Sequence, residues 1–280
     1  MAEVKQFALY GKGGIGKSTI ASNVAVALAE MGETVFQVGC SPKIDSTSFL
    51  RGGELPDYNI LENTLDKGAT KEAVKECIIP GYKGVFTAES GGPPPVQGCA
   101  GRGVSLALEY LAKYRFVQEL GATVVIYDVV GDIVCGGFAQ PMRAGYAREV
   151  YLVSSGELMS LYSSNNICRA IEEINKGKKA TVLVGGIINN MRGVSKEEEL
   201  VEEFGRMIQV PIVANIPRDS TVQEAESEGG TVMEKRPNSQ QAARYRELAQ
   251  NIRSGNEPVA PKPVAIEDIL ALLVKYQALD

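Results

Sequence analysis

Short apolar runs alternate with stretches in which apolar residues recur every three or four positions, and the alternation continues along most of the 280 residues. Residues 7–10 form the first apolar run. Ile20, Val24, Leu28 and Met31 follow at helical spacing, and Gly32 is placed to end that helix. Residues 34–38 predict a second strand, after which Pro42, Gly52, Gly53 and Pro56 break the pattern. Residues 71–77 predict a short helix, 85–88 a brief strand and 90–95 a loop. Residues 105–120 predict one helix through Leu106, Leu108, Leu111, Val117 and Leu120. Further strands are expected at 123–127, 150–153, 181–184 and 210–214, with helices over 158–174, 196–207 and 240–252. Such alternation predicts an α/β fold in a single domain, a mostly parallel sheet with helices on both faces. Ligands of such sheets sit beyond the carboxyl ends of the strands. Residues 256–280 read as a C-terminal extension, Pro-rich at first. Residues 266–279 then predict an amphipathic helix with Ile266, Ile269, Leu270, Leu273 and Tyr276 on one face. Glu267 and Asp268 lie on the other, which favours packing on the domain over a membrane surface.

Between the first strand and the first helix stands Gly11-Lys12-Gly13-Gly14-Ile15-Gly16-Lys17-Ser18-Thr19. It fits the pattern G-x-x-x-x-G-K-[ST], and the strand before it and helix after it supply the required context. Glycines let the backbone curl so that its N–H groups point at phosphate oxygens, and the helix start adds partial positive charge. Lys17 is placed to reach the outer phosphates and Ser18 to offer a hydroxyl to Mg²⁺. Lys12 is a second lysine that an ordinary phosphate loop does not need.

Composition narrows the chemistry. Hydrophobic residues make up 44% and charged residues 22%, and the net charge is −5, which argues against a general nucleic-acid binder. No apolar run is long enough to span a membrane, and the first residues run directly into a strand, so a cytoplasmic protein without a signal peptide is expected. Histidine is absent, which removes histidine bases, histidine-activated nucleophiles and histidine metal ligands. The five cysteines are Cys40, Cys77, Cys99, Cys135 and Cys168, scattered and without a C-x-x-C pair, so a disulfide framework is not expected.

Three aspartates are candidates for nucleotide chemistry. Asp128 follows the buried strand 123–127, where a carboxylate is placed to hold Mg²⁺ directly or through water. Asp132 lies four residues on, in a loop with glycines on both sides, and couples what happens at a γ-phosphate to Cys135 beside it. Asp45, in the run 41–47 after the second strand, is placed to join the phosphate or metal shell. Cys99 and Cys135 sit in Gly-flanked loops where backbone N–H groups approach sulfur closely, and the other three cysteines read as small buried hydrophobes. Two cysteines do not complete a four-thiolate site, but a two-fold dimer supplies four. Gly-flanked cysteine loops also occur without metal.

Four stretches together resemble the nitrogenase iron protein family, which includes the iron proteins of the dark protochlorophyllide and chlorin reductases. They are residues 11–19, 41–47, 90–104 and 127–138, and the resemblance covers nearly the whole chain. It implies a P-loop NTPase fold and a homodimer bridged by one 4Fe-4S cluster, held by Cys99 and Cys135 of both subunits. MgATP in each subunit would drive docking and one-electron transfer to a larger catalytic reductase complex. A low-potential donor such as ferredoxin would supply the electron. By motif position, Lys12 resembles a lysine that reaches across the dimer, and Lys17, Ser18 and Thr19 resemble phosphate and Mg²⁺ residues. Asp45, Asp128 and Asp132 resemble switch and metal carboxylates, with Asp132 placed to position the attacking water. Asn190 resembles an adenine-reading asparagine, and Pro217, Arg218, Asp219 and Gln223 the rest of the base pocket. Arg102 resembles a docking-face arginine.

The sequence departs from the family at two places. Ser41 stands where the family typically has Asp, and residues 94–99 read Pro94, Pro95, Val96, Gln97, Gly98, Cys99 in place of the usual Pro-Gly-Val-Gly-Cys. Such divergence resembles the methanogen branch that serves the Ni-sirohydrochlorin a,c-diamide reductive cyclase, with dinitrogenase reductase as the alternative. A partitioning-type positioning ATPase also uses a two-lysine loop, but would carry a basic surface or terminal helix. An iron–sulfur carrier ATPase would carry a C-x-x-C pair.

Overall fold

The computed structural model describes residues 4–93, 100–131, 139–176, 182–255 and 257–276. In chain order the elements are β1 (Lys5–Tyr10), α1 (Lys17–Glu30), β2 (Val35–Cys40), α2 (Ile60–Lys67), α3 (Lys71–Glu76), β3 (Ile79–Pro80), β4 (Phe86–Glu89) and α4 (Ala100–Lys113). They continue as α5 (Phe116–Glu119), β5 (Val124–Val129), α6 (Gln140–Arg143), β6 (Glu149–Ser154), α7 (Leu158–Asn175), β7 (Leu183–Asn190), α8 (Glu197–Ile208) and β8 (Ile212–Ile216). The last four are α9 (Ser220–Ser227), α10 (Val232–Lys235), α11 (Gln240–Ser254) and α12 (Ile266–Lys275). The strands form one sheet in the order β3-β4-β2-β5-β1-β6-β7-β8. All neighbours are parallel except the two-residue edge strand β3.

The period of two along each strand divides the core between the sheet's faces. Phe7 and Leu9 of β1, Val124 and Ile126 of β5, and Tyr151 and Val153 of β6 pack with α1 and α11. Ala8 and Tyr10, Val125 and Tyr127, and Val150 and Leu152 pack on the other side with α4, α7, α8 and α12. Helices therefore cover both faces, as the alternation predicts. The same parity puts Asp128 on the face that α1 covers. β1 lies between β5 and β6, where the strand order reverses, and the loop after it opens at the carboxyl edge of the sheet.

Several boundaries differ from the sequence reading. Residues 105–120 are two helices, because Arg115 takes a left-handed conformation (φ 57) that no α-helix continues through. The expected strand at 181–184 runs instead through Gly185 and Gly186 to Asn190; a Cβ on Gly185 would lie 2.6 Å from the Tyr151 ring, so the missing side chain makes room within the strand. Asp128 does not follow β5 but lies inside it. In α12 the buried residues are Ile269, Leu272 and Leu273, whereas Leu270 is 39% exposed. This helix packs on α7 and α8, and its approach is pinned by Asn165, which exchanges two 2.9 Å hydrogen bonds with the Val264 backbone. Among the described residues no helix is long and apolar enough to cross a membrane.

Candidate functional site

The loop after β1 is held open by its own backbone. Gly14 and Gly16 take φ values of 74° and 99°, in the left-handed region that side chains disfavour. Gly16 is also sterically pinned, since a Cβ there would lie 2.5 Å from Asn190 Nδ2. Gly16 is the N-cap of α1 and offers no side chain to the helix's first amides, and no acidic residue stands in the first turn. Those N–H groups and the positive helix end are left for an anion. Lys17 is 7% exposed, with its Nζ donating to the carbonyls of Gly11 (3.0 Å) and Lys12 (3.1 Å), so the ammonium is stationed at the mouth of the loop.

A cavity of about 290 Å³ lies over this loop, lined among others by Gly13, Lys17, Ser18, Asp45, Ser46 and Asp128. Inside it the hydroxyls of Ser18 and Ser46 both donate to Asp128 Oδ2 at 2.6 Å. The other oxygen, Oδ1, is buried and has no partner among the described residues. Burial pushes the Asp128 carboxyl above the ordinary aspartate value, against the two serine hydrogen bonds and the Lys17 charge, which favour the ion. A buried carboxylate with an unmatched oxygen, one serine hydroxyl and a phosphate-sized cavity suit Mg²⁺, a hard cation that takes few protein oxygens and keeps phosphate and water. The donor set therefore fits a magnesium nucleotide. Asp45 is exposed at the rim. Lys12 extends from the loop to Glu157 at the start of α7, 3.6 Å away, with 39% of its side chain exposed.

A second cavity, of about 370 Å³, shares Gly14, Gly16 and Thr19 with the first. All five residues expected at a base pocket, Asn190, Pro217, Arg218, Asp219 and Gln223, line it. Asn190 Nδ2 donates to the Ile15 carbonyl at 2.6 Å, and Arg192 donates to the Gly14 carbonyl at 2.7 Å, so the end of β7 is tied to the phosphate loop. Thr19 donates to Glu226 at 2.7 Å, joining α1 to α9 across the same cavity.

Some residues that build this site went unassigned in the sequence. Ser46 lies in the run 41–47, where the sequence gives it no role of its own. Glu197, 2% exposed at the start of α8, accepts from the backbone amides of Arg192, Gly193 and Val194 and, at 2.8 Å, from Gly156. It clamps the loop after β7 to the loop after β6. Three glutamates in succession at a helix start were the signal that could have marked one as a loop anchor.

Asp132, Cys99 and Cys135 lie outside the described residues. The segments that carry them leave the carboxyl ends of β4 and β5, the two neighbours of β2. Arg102 is exposed in the first turn of α4. Cys40, Cys77 and Cys168 are buried free thiols, and burial pushes all three above the usual cysteine value, as expected of inert packing residues.

A family model for "4Fe-4S iron sulfur cluster binding proteins, NifH/frxC family" matches residues 5–279. The nitrogenase iron protein of Methanospirillum hungatei JF-1 is 45% identical over 273 residues, 98% of this chain and 96% of that one. Nitrogenase iron protein 2 of Rhodobacter capsulatus is 43% identical over 277 residues, 99% of each. Among solved structures, the cell division ATPase MinD of Pyrococcus furiosus superposes with a TM-score of 0.67 at 20% identity, covering 89% of this chain and 98% of that one. A ParA family ATPase from Chlorobium tepidum TLS gives 0.66 at 19%, with the same coverage. At such identities these two structures establish the fold.

Proposed function

This chain belongs to the NifH/frxC family of 4Fe-4S iron sulfur cluster binding proteins, and on that premise we propose that it is the ATP-dependent reductase component of a two-component electron-transfer system. The observation that carries the reading is the shared Ser18–Asp128–Ser46 contact under an open phosphate loop, next to the two strands from which the cysteine segments depart. When bound, the cluster supplies a one-electron store and MgATP supplies the free energy of a conformational cycle. Two copies would pair so that Cys99 and Cys135 of each furnish four thiolates. Residues 11–19 would hold the phosphates, with Ser18 and Asp128 toward Mg²⁺, while Asn190, Pro217, Arg218, Asp219 and Gln223 enclose the base. Lys12 would cross the dimer to the second nucleotide. Asp45 and Asp132 would sense the γ-phosphate, with Asp132 orienting the attacking water. A bound nucleotide shifts such a protein only through its different affinity for two states, and these residues are where that difference would arise. Arg102 stands on the face that would dock the acceptor complex. The setting would be the cytoplasm, with a low-potential donor such as ferredoxin.

The finer reading concerns the acceptor. Ser41 and the sequence of residues 94–99 support the Ni-sirohydrochlorin a,c-diamide reductive cyclase of nickel-tetrapyrrole biosynthesis. Relatives named as nitrogenase iron proteins, at 43–45% identity over nearly the whole chain, favour a second reading as dinitrogenase reductase. Reconstitution with each acceptor decides between them: substrate reduction with the cyclase alone supports the first reading, and with dinitrogenase alone the second.

Strictly anaerobic purification tests the parent reading. We expect a brown protein with about four irons per two chains. Cys99→Ala and Cys135→Ala should each abolish the cluster while nucleotide binding persists. Colourless, iron-free wild type would overturn the redox function.

A further inference from the structure

β2 ends between β4 and β5, and its Gly39 is in register with Glu89 of β4 on one side and Asp128 of β5 on the other. A Cβ on Gly39 would lie 1.9 Å from Glu89 Oε2, so the absent side chain is what lets the Glu89 carboxyl lie across the end of β2. Glu89 is 1% exposed. Its Oε1 accepts from the Thr47 amide at 2.7 Å and from the Thr47 hydroxyl at 2.8 Å. Its Oε2 is buried without a partner among the described residues. Burial, reinforced by the charges of Asp128 and Asp45, pushes the carboxyl up to about 8 against the two Thr47 hydrogen bonds. Burying a polar group with one unmatched oxygen is unfavourable, and an apolar side chain would fill the space without that penalty. The fold retains the carboxyl at a place where two loops meet.

Thr47 closes the 41–47 loop, whose Ser46 donates to Asp128 in the nucleotide cavity. Glu89 ends β4, and residues 90–93 lead from it toward Cys99. The two loops touch at a second point, because a Cβ on Gly92 would lie 2.5 Å from Pro42 Cβ. The Ser90 amide is bonded to the Gly39 carbonyl at 2.9 Å, which fixes the start of the 90–93 segment to β2. A displacement of the 41–47 loop thus has a hydrogen-bonded and a steric route to the root of the Cys99 segment.

We propose that Glu89 is a positioning residue that fastens the nucleotide-side loop, at Thr47, to the root of the Cys99 segment, so that rearrangement around Ser46 and Asp128 is passed to the cysteine loop through the end of β4. The proposal rests on the reading that the cavity takes a nucleotide and that Cys99 holds a cluster.

Hydrogen exchange of the full-length protein, with and without MgADP, tests it. In wild type, protection of residues 41–47 on adding MgADP should extend to residues 89–93. In Glu89→Ala the first change should remain and the second should be lost. Glu89→Gln, which keeps the acceptor oxygen, should restore it, an outcome that a purely space-filling role would not produce. The rate at which a chelator removes iron should respond to MgADP in wild type and Glu89→Gln but not in Glu89→Ala. If Glu89→Ala does not fold, Thr47→Val takes its place, expected to weaken the extension by removing the hydroxyl that donates to Glu89 Oε1. Protection that never reaches residues 89–93 in wild type, or reaches them undiminished in Glu89→Ala or its substitute, overturns the proposal. The exchange comparison needs only nucleotide, so an iron-free wild type would defeat the redox reading and still leave this contact decided.

Discussion

At the scale of single residues, the site is governed by two carboxyls separated by one glycine. Asp128 shares one oxygen between Ser18 and Ser46 and keeps the other unmatched. Asp128→Asn should therefore weaken nucleotide binding at least about tenfold in Mg²⁺ and much less in EDTA, as measured by titration calorimetry. Equal losses in both media would remove Asp128 from the metal's shell. Glu89 gives a pH prediction. Its carboxyl is raised to about 8 in the folded chain, above the ordinary glutamate value, so between those values the native state holds a proton that the unfolded state has released. Its stabilising contribution is complete below the unfolded value and disappears as pH rises toward about 8. Wild type should lose stability relative to Glu89→Gln over that window, by at most about 1.4 kcal/mol per pH unit, in urea unfolding at pH 5 to 8. Parallel curves would place the titration elsewhere. Gly11, Gly16, Lys17 and Ser18 were legible in sequence because their spacing between one strand and one helix is itself the signal, and Asp128 because it stands at the end of a buried apolar run. Ser46, Glu89 and Glu197 were not, since each acts across strands or loops that are adjacent only after the sheet has formed.

At the scale of elements, long periodic segments such as α7, α8 and α11 were predicted within a residue or two, because a wide apolar face fixes them. The short helices α2, α9 and α10 escaped. They have few apolar residues, but their caps were visible: Asn59, Asp219 and Thr231 each accept an amide from the first turn, and Asn59 and Thr231 are followed three residues on by Glu62 and Glu234. Helical period alone misplaced Leu270 on the inner face of α12 and missed Leu272. Leu273 is fully buried and Leu270 is 39% exposed. Leu273→Ala should cost about 2–5 kcal/mol in chemical denaturation, whereas Leu270→Ala should change stability by less than about 0.5 kcal/mol. The reverse order would mean that α12 docks through a different face.

At the scale of the whole molecule, strand order was not readable from a single chain, but its consequence was: the candidate site residues gather at the carboxyl edge, where β1, β2, β5 and β7 end. Lys12 tests the expected pairing of two copies. Its side chain is 39% exposed and paired only loosely with Glu157, so Lys12→Gln should bind nucleotide close to wild type yet hydrolyse it at least about tenfold more slowly. Turnover equal to wild type would show that the lysine serves no second active site. The sheet's own margin bears on how copies meet. β3, the outermost strand beside β4, is two residues long, runs against its neighbour and includes the exposed Pro80, whose nitrogen carries no hydrogen. A chain finished in this way gives a visiting strand almost nothing to zip onto along that border, so crowding should not extend the sheet into a ribbon there.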